Sequence, residues 1–558
     1  MGLLILILKG GTLVNKWREI PVDEEEESYK LIQKFARKKQ IHPLIAKKLY
    51  HDGLKTEKDF MDFLLPTIDQ LHDPYLLNDM KKAVSRIVDA IKNKEKILLC
   101  GNPSADGITA TSILYKTLNE VEADVIYKVP KSLGEQYITK VEVSLIIVVG
   151  NGIHDQDVRI SQEFGNDLIF IDYHEVSKSN LTCYAHINPL RKDSEYPYKF
   201  LSGTGVTLKL VHALYNALCL PWEEQKVKHM PLAAIGTIAA SMPLTQENRV
   251  ICYYGLKALN KETPLAIKFL TERFNTEIDS TAIAKQIIPK LNSLCIVEET
   301  NKAVEMLLGS LVTDQLEEVF NKAFNKYKSS LSIQSLQAEH FLSEHDLEKY
   351  PILVAKGPFS EDMIGAISAK LAEKYNKPTV IISENGNGAI RAFNAPSFSV
   401  FQALKHCSND LSYFSGHQTA GTFAVNPSQV KSYFRSLQNF AWDSQIPFAC
   451  FYTGNLPLKD ITHDIFQNMR YLEPCGIGNP KPVFQSSFSS VPQLELFGEA
   501  DVHAKISCSR ENQTRIEAHG YFKGEVMRRI HKAPFGILYS PLCPESQTVV
   551  IERIREQI

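Results

Sequence analysis

Ile97-Leu98-Leu99-Cys100-Gly101-Asn102-Pro103-Ser104-Ala105-Asp106-Gly107 is the stretch on which the fold turns. Four unbroken apolar residues run into a polar turn bounded by glycines, and a helical pattern follows from Ile108 to Leu118. An apolar run without alternation belongs to a strand buried on both faces, the condition of a parallel sheet covered by helices. The same texture recurs outward at Ala123–Tyr127, Leu145–Val149 and Leu168–Ile171, with amphipathic segments between. Ligands of such sheets gather beyond the carboxyl ends of the strands. The segments leaving those ends, Gly101–Gly107, Gly150-Asn151-Gly152 and Asp172-Tyr173-His174, are therefore expected to converge on one cleft.

Farther out, 558 residues make room for about three to five domains. A helical leader is expected over 1–70, an α/β domain over 71–270, a helical linker over 271–340, a second α/β domain over 341–445 and a β-barrel over 446–558. In the leader, Asp23-Glu24-Glu25-Glu26-Glu27 reads as a solvated first helical turn, where carboxylates suit the dipole. The run Leu3–Leu8 is too short to span a membrane and reads as a start-site extension or a strand. The chain is expected to be soluble and cytoplasmic. Ten cysteines occur singly without a CxxC pair, which speaks against a disulfide framework and a structural zinc site. The net charge of -2 rules out a chain-wide basic field, and from residue 450 onward 12 Lys and Arg balance 12 Asp and Glu. Any nucleic-acid binding must then rest on a few placed groups.

The ordered set Leu71–Tyr75, Gly101–Gly107, Asn151-Gly152-Ile153, Asp172-Tyr173-His174, Asn188-Pro189, Gly203–Val206, Gly236–Ala239, Pro243-Leu244, Glu247–Arg249, Gly255-Leu256, Ile364-Gly365, Arg391, Gly416-His417 and Leu472–Pro480 resembles the RecJ family of single-strand-specific DNA exonucleases, within the DHH phosphoesterase superfamily. The resemblance implies an α/β fold: a DHH parallel-sheet domain, a long connecting helix, a smaller DHHA1 α/β domain and an OB-fold barrel. It also implies two divalent metals, usually manganese, that activate a water and stabilise the leaving oxygen of a phosphodiester.

This chain departs from that pattern at most ligand positions. Where the family alternates three aspartates, it has Asn102, Ser104 and Asp106, with Cys100 in place of a histidine. Gly150 and Ala240 replace aspartates, and Tyr173 replaces the first histidine of the Asp-His-His signature. Asp106, Asp172 and His174 remain as residual catalytic and metal-binding candidates. Hard divalent ions need several anionic oxygens, so the expectation is no cofactor or weak Mn or Mg binding. On the substrate side the resemblance points to Arg391 and His417 with Gly416 for phosphate contacts, Phe359 for base stacking and Lys290 as a point charge.

Plainer readings stand beside these. Asp172 and His174 read either as metal ligands or as a hydrogen-bonded pair shaping a strand end. Asp106-Gly107 reads either as a residual metal contact or as the cap of the helix near Ile108. Gly203–Val206 reads as a phosphate cradle or as close packing of a helix start, and Gly476–Pro480 as a backbone turn. The functional expectation is a RecJ-like protein of DNA repair, recombination or replication that binds single strands with a degenerate nuclease centre. The alternatives are an active Mn-dependent 5′-to-3′ exonuclease drawing ligands from Glu175 or Asp155, and a scaffold for repair or replication proteins.

Overall fold

The computed structural model describes residues 17–130, 142–152, 155–174, 183–271, 277–296, 300–309, 314–343, 350–375, 377–393, 398–444, 450–489, 493–509, 515–521, 523–530, 534–543 and 548–556. The Leu3–Leu8 run and Glu175 lie outside them, as does the side chain of Asp155. Two compact units result, Ile68–Pro447 and Val14–Thr67 with Phe448–Ile558. The leader is thus no domain of its own. Its apolar residues Ile32, Ile45, Leu49 and Phe60 share one core with Ile465, Phe466 and the C-terminal sheet, because three short helices cannot bury their own apolar faces.

In the first unit, β1 (Ile97–Cys100) leads into α1 (Ala105–Glu120), then β2 (Val125–Lys128), β3 (Leu145–Val149), β4 (Asp167–Ile171) and β5 (Ala185–Ile187). The sheet order is β2-β1-β3-β4-β5, all parallel. Every residue of β1 and β3 is buried, as their unbroken apolar runs require. From β1 the chain moves first to β2 on one side and later to β3 on the other. The crevice of this sheet therefore opens at the carboxyl ends of β1 and β3, between Gly101–Gly107 and Gly150–Gly152.

Two helices close the crevice from above, α2 (Gly203–Ala217) and α3 (Gln246–Lys261). A fully buried ion pair, Lys209 on α2 with Glu247 on α3, fastens them to the Leu71–Tyr75 turn. Glu247 accepts from the His72 amide (2.8 Å) and the Tyr196 hydroxyl (2.8 Å), while Lys209 donates to the His72 carbonyl (2.8 Å). Gly236, on the helix Trp222–Ala239, meets the first α/β layer so closely that a Cβ would stand 2.1 Å from Thr204 Oγ1 and 2.4 Å from Thr109 Oγ1. Only glycine permits that approach.

The expected helical linker divides into two parts. Short helices between Ser280 and Leu307 pack into a core with Ala105 and Ile108, and only α4 (Asp314–Ser343) runs free of that core for most of its length. The second lobe carries β6 (Leu353–Lys356), β7 (Thr379–Ile382), β8 (Asn387–Arg391), β9 (Leu411–Gly416) and β10 (Ala420–Val425) in the order β9-β10-β8-β7-β6. Only β6 and β7 are parallel in it.

The second unit has seven strands: β11 (Gly454–Asn455), β12 (Phe484–Phe488), β13 (Gln493–Phe497), β14 (His503–Ser509), β15 (Arg515–Gly520), β16 (Phe535–Cys543) and β17 (Thr548–Glu556). Their order is β11-β12-β16-β17-β15-β14-β13. Strands β12 and β13 stand five spacings apart in that order, about 24 Å in a flat sheet. The five residue steps from Phe488 to Gln493 reach at most about 18 Å, so the sheet must curl toward a barrel.

Candidate functional site: the strand-end cluster

The three strand-end segments do converge, and the bonds they make are with one another. Ser104 is the N-cap of α1, its hydroxyl accepting from the Gly107 amide at 3.2 Å. The Ala105 amide is taken by Asn292 Oδ1 at 2.8 Å. Asn102 donates to the Gly150 carbonyl (3.0 Å) and Asn151 to the Gly101 carbonyl (3.2 Å), a neutral cross-brace between the β1 and β3 ends. Gly150 holds φ +70°, in the left-handed region that favours glycine.

Asp106 is 3% exposed and does not cap its own helix, contrary to one sequence reading. It caps α2 instead: Oδ2 accepts from the Gly203 amide (3.1 Å), and Oδ1 from the Thr204 amide (2.9 Å) and hydroxyl (2.6 Å). The Tyr173 hydroxyl is a further hydrogen-bond partner of this carboxylate. Burial pushes the Asp106 carboxyl above its usual range, against the lowering effect of Thr204, Gly203 and His174. The start of α2 is thereby occupied by Asp106 and by its own N-cap Ser202, which accepts from Gly205 at 2.9 Å, so Gly203–Val206 is packed helix start and not a phosphate cradle.

Asp172 and His174 form a pair, Oδ1 to Nδ1 at 2.7 Å. Burial tends to raise the Asp172 carboxyl, and His174 outweighs it, holding the group below its usual range. Burial likewise tends to lower His174, and the Asp172 carboxylate outweighs that and lifts the imidazole above its ordinary value. Tyr173 lies between the pair and the rest of the cluster. Its ring stacks on His174 at 4.4 Å and 29° and approaches His417 of the second lobe at 6.3 Å. Burial first, then Asp106 and Asp172, keep its phenol protonated far above the ordinary range.

This donor set does not fit two divalent ions. Asp106 spends both oxygens on α2 and Tyr173, and Asp172 is paired with His174. Ser104 is a cap, Gly150 has no side chain, and Ala240 ends the helix Trp222–Ala239 with a methyl group. Burial, followed by the charge of Asp157, raises the Cys100 thiol, so it offers no thiolate. Among the described residues no group of three or more His, Cys, Asp or Glu is disposed to hold a metal ion.

On the facing lobe, Arg391 ends β8 and donates to the carbonyls of Ile390 (2.9 Å) and Gly421 (3.2 Å). No carboxylate among the described residues pairs with it, and burial lowers its guanidinium to about 10, which leaves it charged at neutral pH. Gly416 makes the tight β9–β10 turn that presents His417, since a Cβ there would stand 2.6 Å from the Ala420 carbonyl oxygen. Burial, with His174 and Arg391 nearby, lowers His417 to about 3. Thr419 bridges the two lobes by donating to the Ser241 carbonyl at 3.2 Å.

Two sequence expectations need correction here. Phe359 is 4% exposed, packed with Phe341, Met363 and Ile364, so it is a core residue with no face open to a base. Lys290 donates to the Leu270 carbonyl at 2.8 Å, and the contact that its segment makes to the cluster comes from Asn292.

An open aromatic surface lies instead in the second unit. Phe497 on β13, His503 on β14, His519 on β15 and Tyr521 just beyond it are within 5.1–6.5 Å of one another, ring to ring. Alternation sets them on the outer face, opposite buried Ala504, Ile506, Ala518 and Ile516, and Tyr521 is 46% exposed. A row of Glu495, Lys505 and Glu517 runs beside them. The sequence signal was the i, i+2 placement of polar rings, which only the pairing of three strands assembles.

Residues 96–237 match the DHH family, N-terminal domain, and residues 452–547 the RecJ OB domain. The chain is 29% identical over 516 residues to the single-stranded-DNA-specific exonuclease RecJ of Bacillus subtilis, a match covering 88% of this chain and 64% of that protein. With the RecJ of the same description from Thermus thermophilus it is 25% identical over 461 residues, covering 80% and 66%. It therefore spans just under two thirds of the length of these curated relatives. The crystal structure of RecJ in complex with Mn2+ from Thermus thermophilus shares its fold, with a TM-score of 0.74 at 22% identity over 97% of this chain and 80% of that one. Domain order, fold and relatives together place the chain in the RecJ family of DHH-domain proteins.

Proposed function

We infer that the chain is a RecJ-like protein of DNA repair, recombination or replication that binds single-stranded nucleic acid and does not hydrolyse it by two-metal chemistry. The observation that carries this reading is the state of Asp106. In a two-ion hydrolase that carboxylate would face metal, whereas here its oxygens satisfy the amides of α2 and two hydroxyls. Strand binding is supported by the names of the relatives and by the rings on β13–β15, since strands 2 and 3 of an OB barrel are a common oligonucleotide face. No described helix is long and apolar enough to cross a membrane.

The identity to RecJ exonucleases over most of the chain keeps the hydrolytic reading as the rival. The test is a 5′-labelled single strand incubated with the protein and manganese, beside a binding titration in EDTA. The strand is expected to stay full length and to bind in EDTA, with Tyr521→Ala weakening binding by about 1–3 kcal/mol for the base it stacks. Manganese-dependent shortening that Asp172→Ala abolishes would sink this reading.

A further inference from the structure

We propose that Tyr173 is a plug in the strand-end cleft, and that a phosphate group reaches Arg391 only when the Tyr173 ring leaves its slot. The proposal rests on the strand-binding reading and adds to it a gate at one residue.

The slot is built from five directions. His174 stacks on one side of the ring, and His417 approaches from the facing lobe. The start of α2 presses against it so closely that a Cβ on Gly203 would come within 3.1 Å of the ring. At Gly150 a Cβ would stand 3.7 Å from it. The hydroxyl is anchored on Asp106, itself fixed by the Gly203 and Thr204 amides. A ring fitted on all these sides occupies the convergence point of the strand ends, where a ligand of such a sheet would lie.

Arg391 is the reason to read the ring as a gate and not as packing alone. Its guanidinium is buried beside Tyr173 and held by two carbonyls. Those carbonyls leave further N–H groups for another acceptor, and among the described residues no carboxylate neutralises its charge. A desolvated cation without a counter-ion is costly, and a phenol, being neutral, does not compensate it. A phosphate would, through charge-assisted bonds in a bidentate geometry. With the ring in place the cation is sealed and uncompensated; with the ring displaced the same cation faces an anion. The lobes meeting there are joined nearby by the Thr419 hydroxyl to Ser241 carbonyl bond, a link weak enough to part.

The experiment is fluorescence anisotropy of a dye-labelled oligothymidylate with the full chain in EDTA. It compares the unaltered protein, Tyr173→Ala, Tyr173→His and the double variant Tyr173→Ala/Arg391→Gln, with each variant's melting curve recorded. Removing the ring is expected to tighten binding about tenfold, the size of one good charge-assisted contact, and Arg391→Gln is expected to cancel the gain. Tyr173→His, smaller and without the phenol, should move in the same direction and serves if the alanine variant fails to fold. Equal or weaker binding by folded Tyr173 variants, or a gain that survives loss of Arg391, overturns the plug while leaving strand binding intact. Absence of binding by every form overturns the strand-binding reading and the plug with it.

Discussion

Asp106 shows how one side chain can keep its identity and change its task. In sequence it is the last of three alternating positions, the only one still acidic, and so the first choice for a surviving metal ligand. In the folded chain it is a cap supplied by one helix to the next, worth more than an exposed cap because the carboxylate is buried and the helix dipole points at it. Asp106→Ala leaves the Gly203 and Thr204 amides without acceptors and is expected to destabilise the chain by about 2–4 kcal/mol in a urea titration. A ligand without a metal would cost nothing on removal, so an unchanged midpoint would contradict the capping role. The Asp172–His174 pair shows the same self-sufficiency, each partner holding the other charged.

At the level of elements, the turn after β1 is governed by the helix it starts. Ser104 is both a lost carboxylate and a working N-cap, and Asp caps about as well as Ser. Ser104→Asp is therefore expected to leave stability within about 0.5 kcal/mol of the original. It should still show no manganese binding by calorimetry or electron paramagnetic resonance, because Tyr173, Gly150 and Ala240 supply no further ligand. Tight binding after this single change would mean that the other positions were not limiting. The positive φ at Gly150 and the Asn102 and Asn151 cross-brace show the β1 and β3 ends held by backbone geometry and amide bonds where ions would otherwise neutralise facing carboxylates.

Across the molecule, several histidines are buried neutral. Burial lowers His212, stacked on Trp222 at 4.5 Å, and His229 to about 4, and His417 to about 3. The unfolded chain takes up these protons near pH 6.5, and the folded chain does so only below about 4. Stability is thus full above about pH 6.5 and is lost as pH falls from there toward about 4. The melting temperature is expected to drop over that window, and less steeply in His212→Phe, which keeps an aromatic stack on Trp222. An identical slope in that variant would remove His212 from the account.

The sequence alone determined the two α/β patterns, the β-rich end and the meeting of three segments at the strand ends. Those follow from hydrophobic periodicity, which is local, and from the rule that parallel strands share a carboxyl edge. It also exposed the missing ligands, because a Gly, Ser, Tyr or Ala cannot donate what an aspartate or histidine would. Tertiary structure decided what the survivors do. Whether Asp106 capped its own helix or its neighbour depended on where α2 begins in space, 97 residues further along the chain. Whether Phe359 faced solvent or core depended on α4 and its Phe341, and whether the short leader stood alone depended on the C-terminal sheet that buries its apolar faces. The rings of Phe497, His503, His519 and Tyr521 became one surface only through strand register. Contacts of this kind join residues far apart in the chain, and the periodicity of any one segment contains no record of its partner.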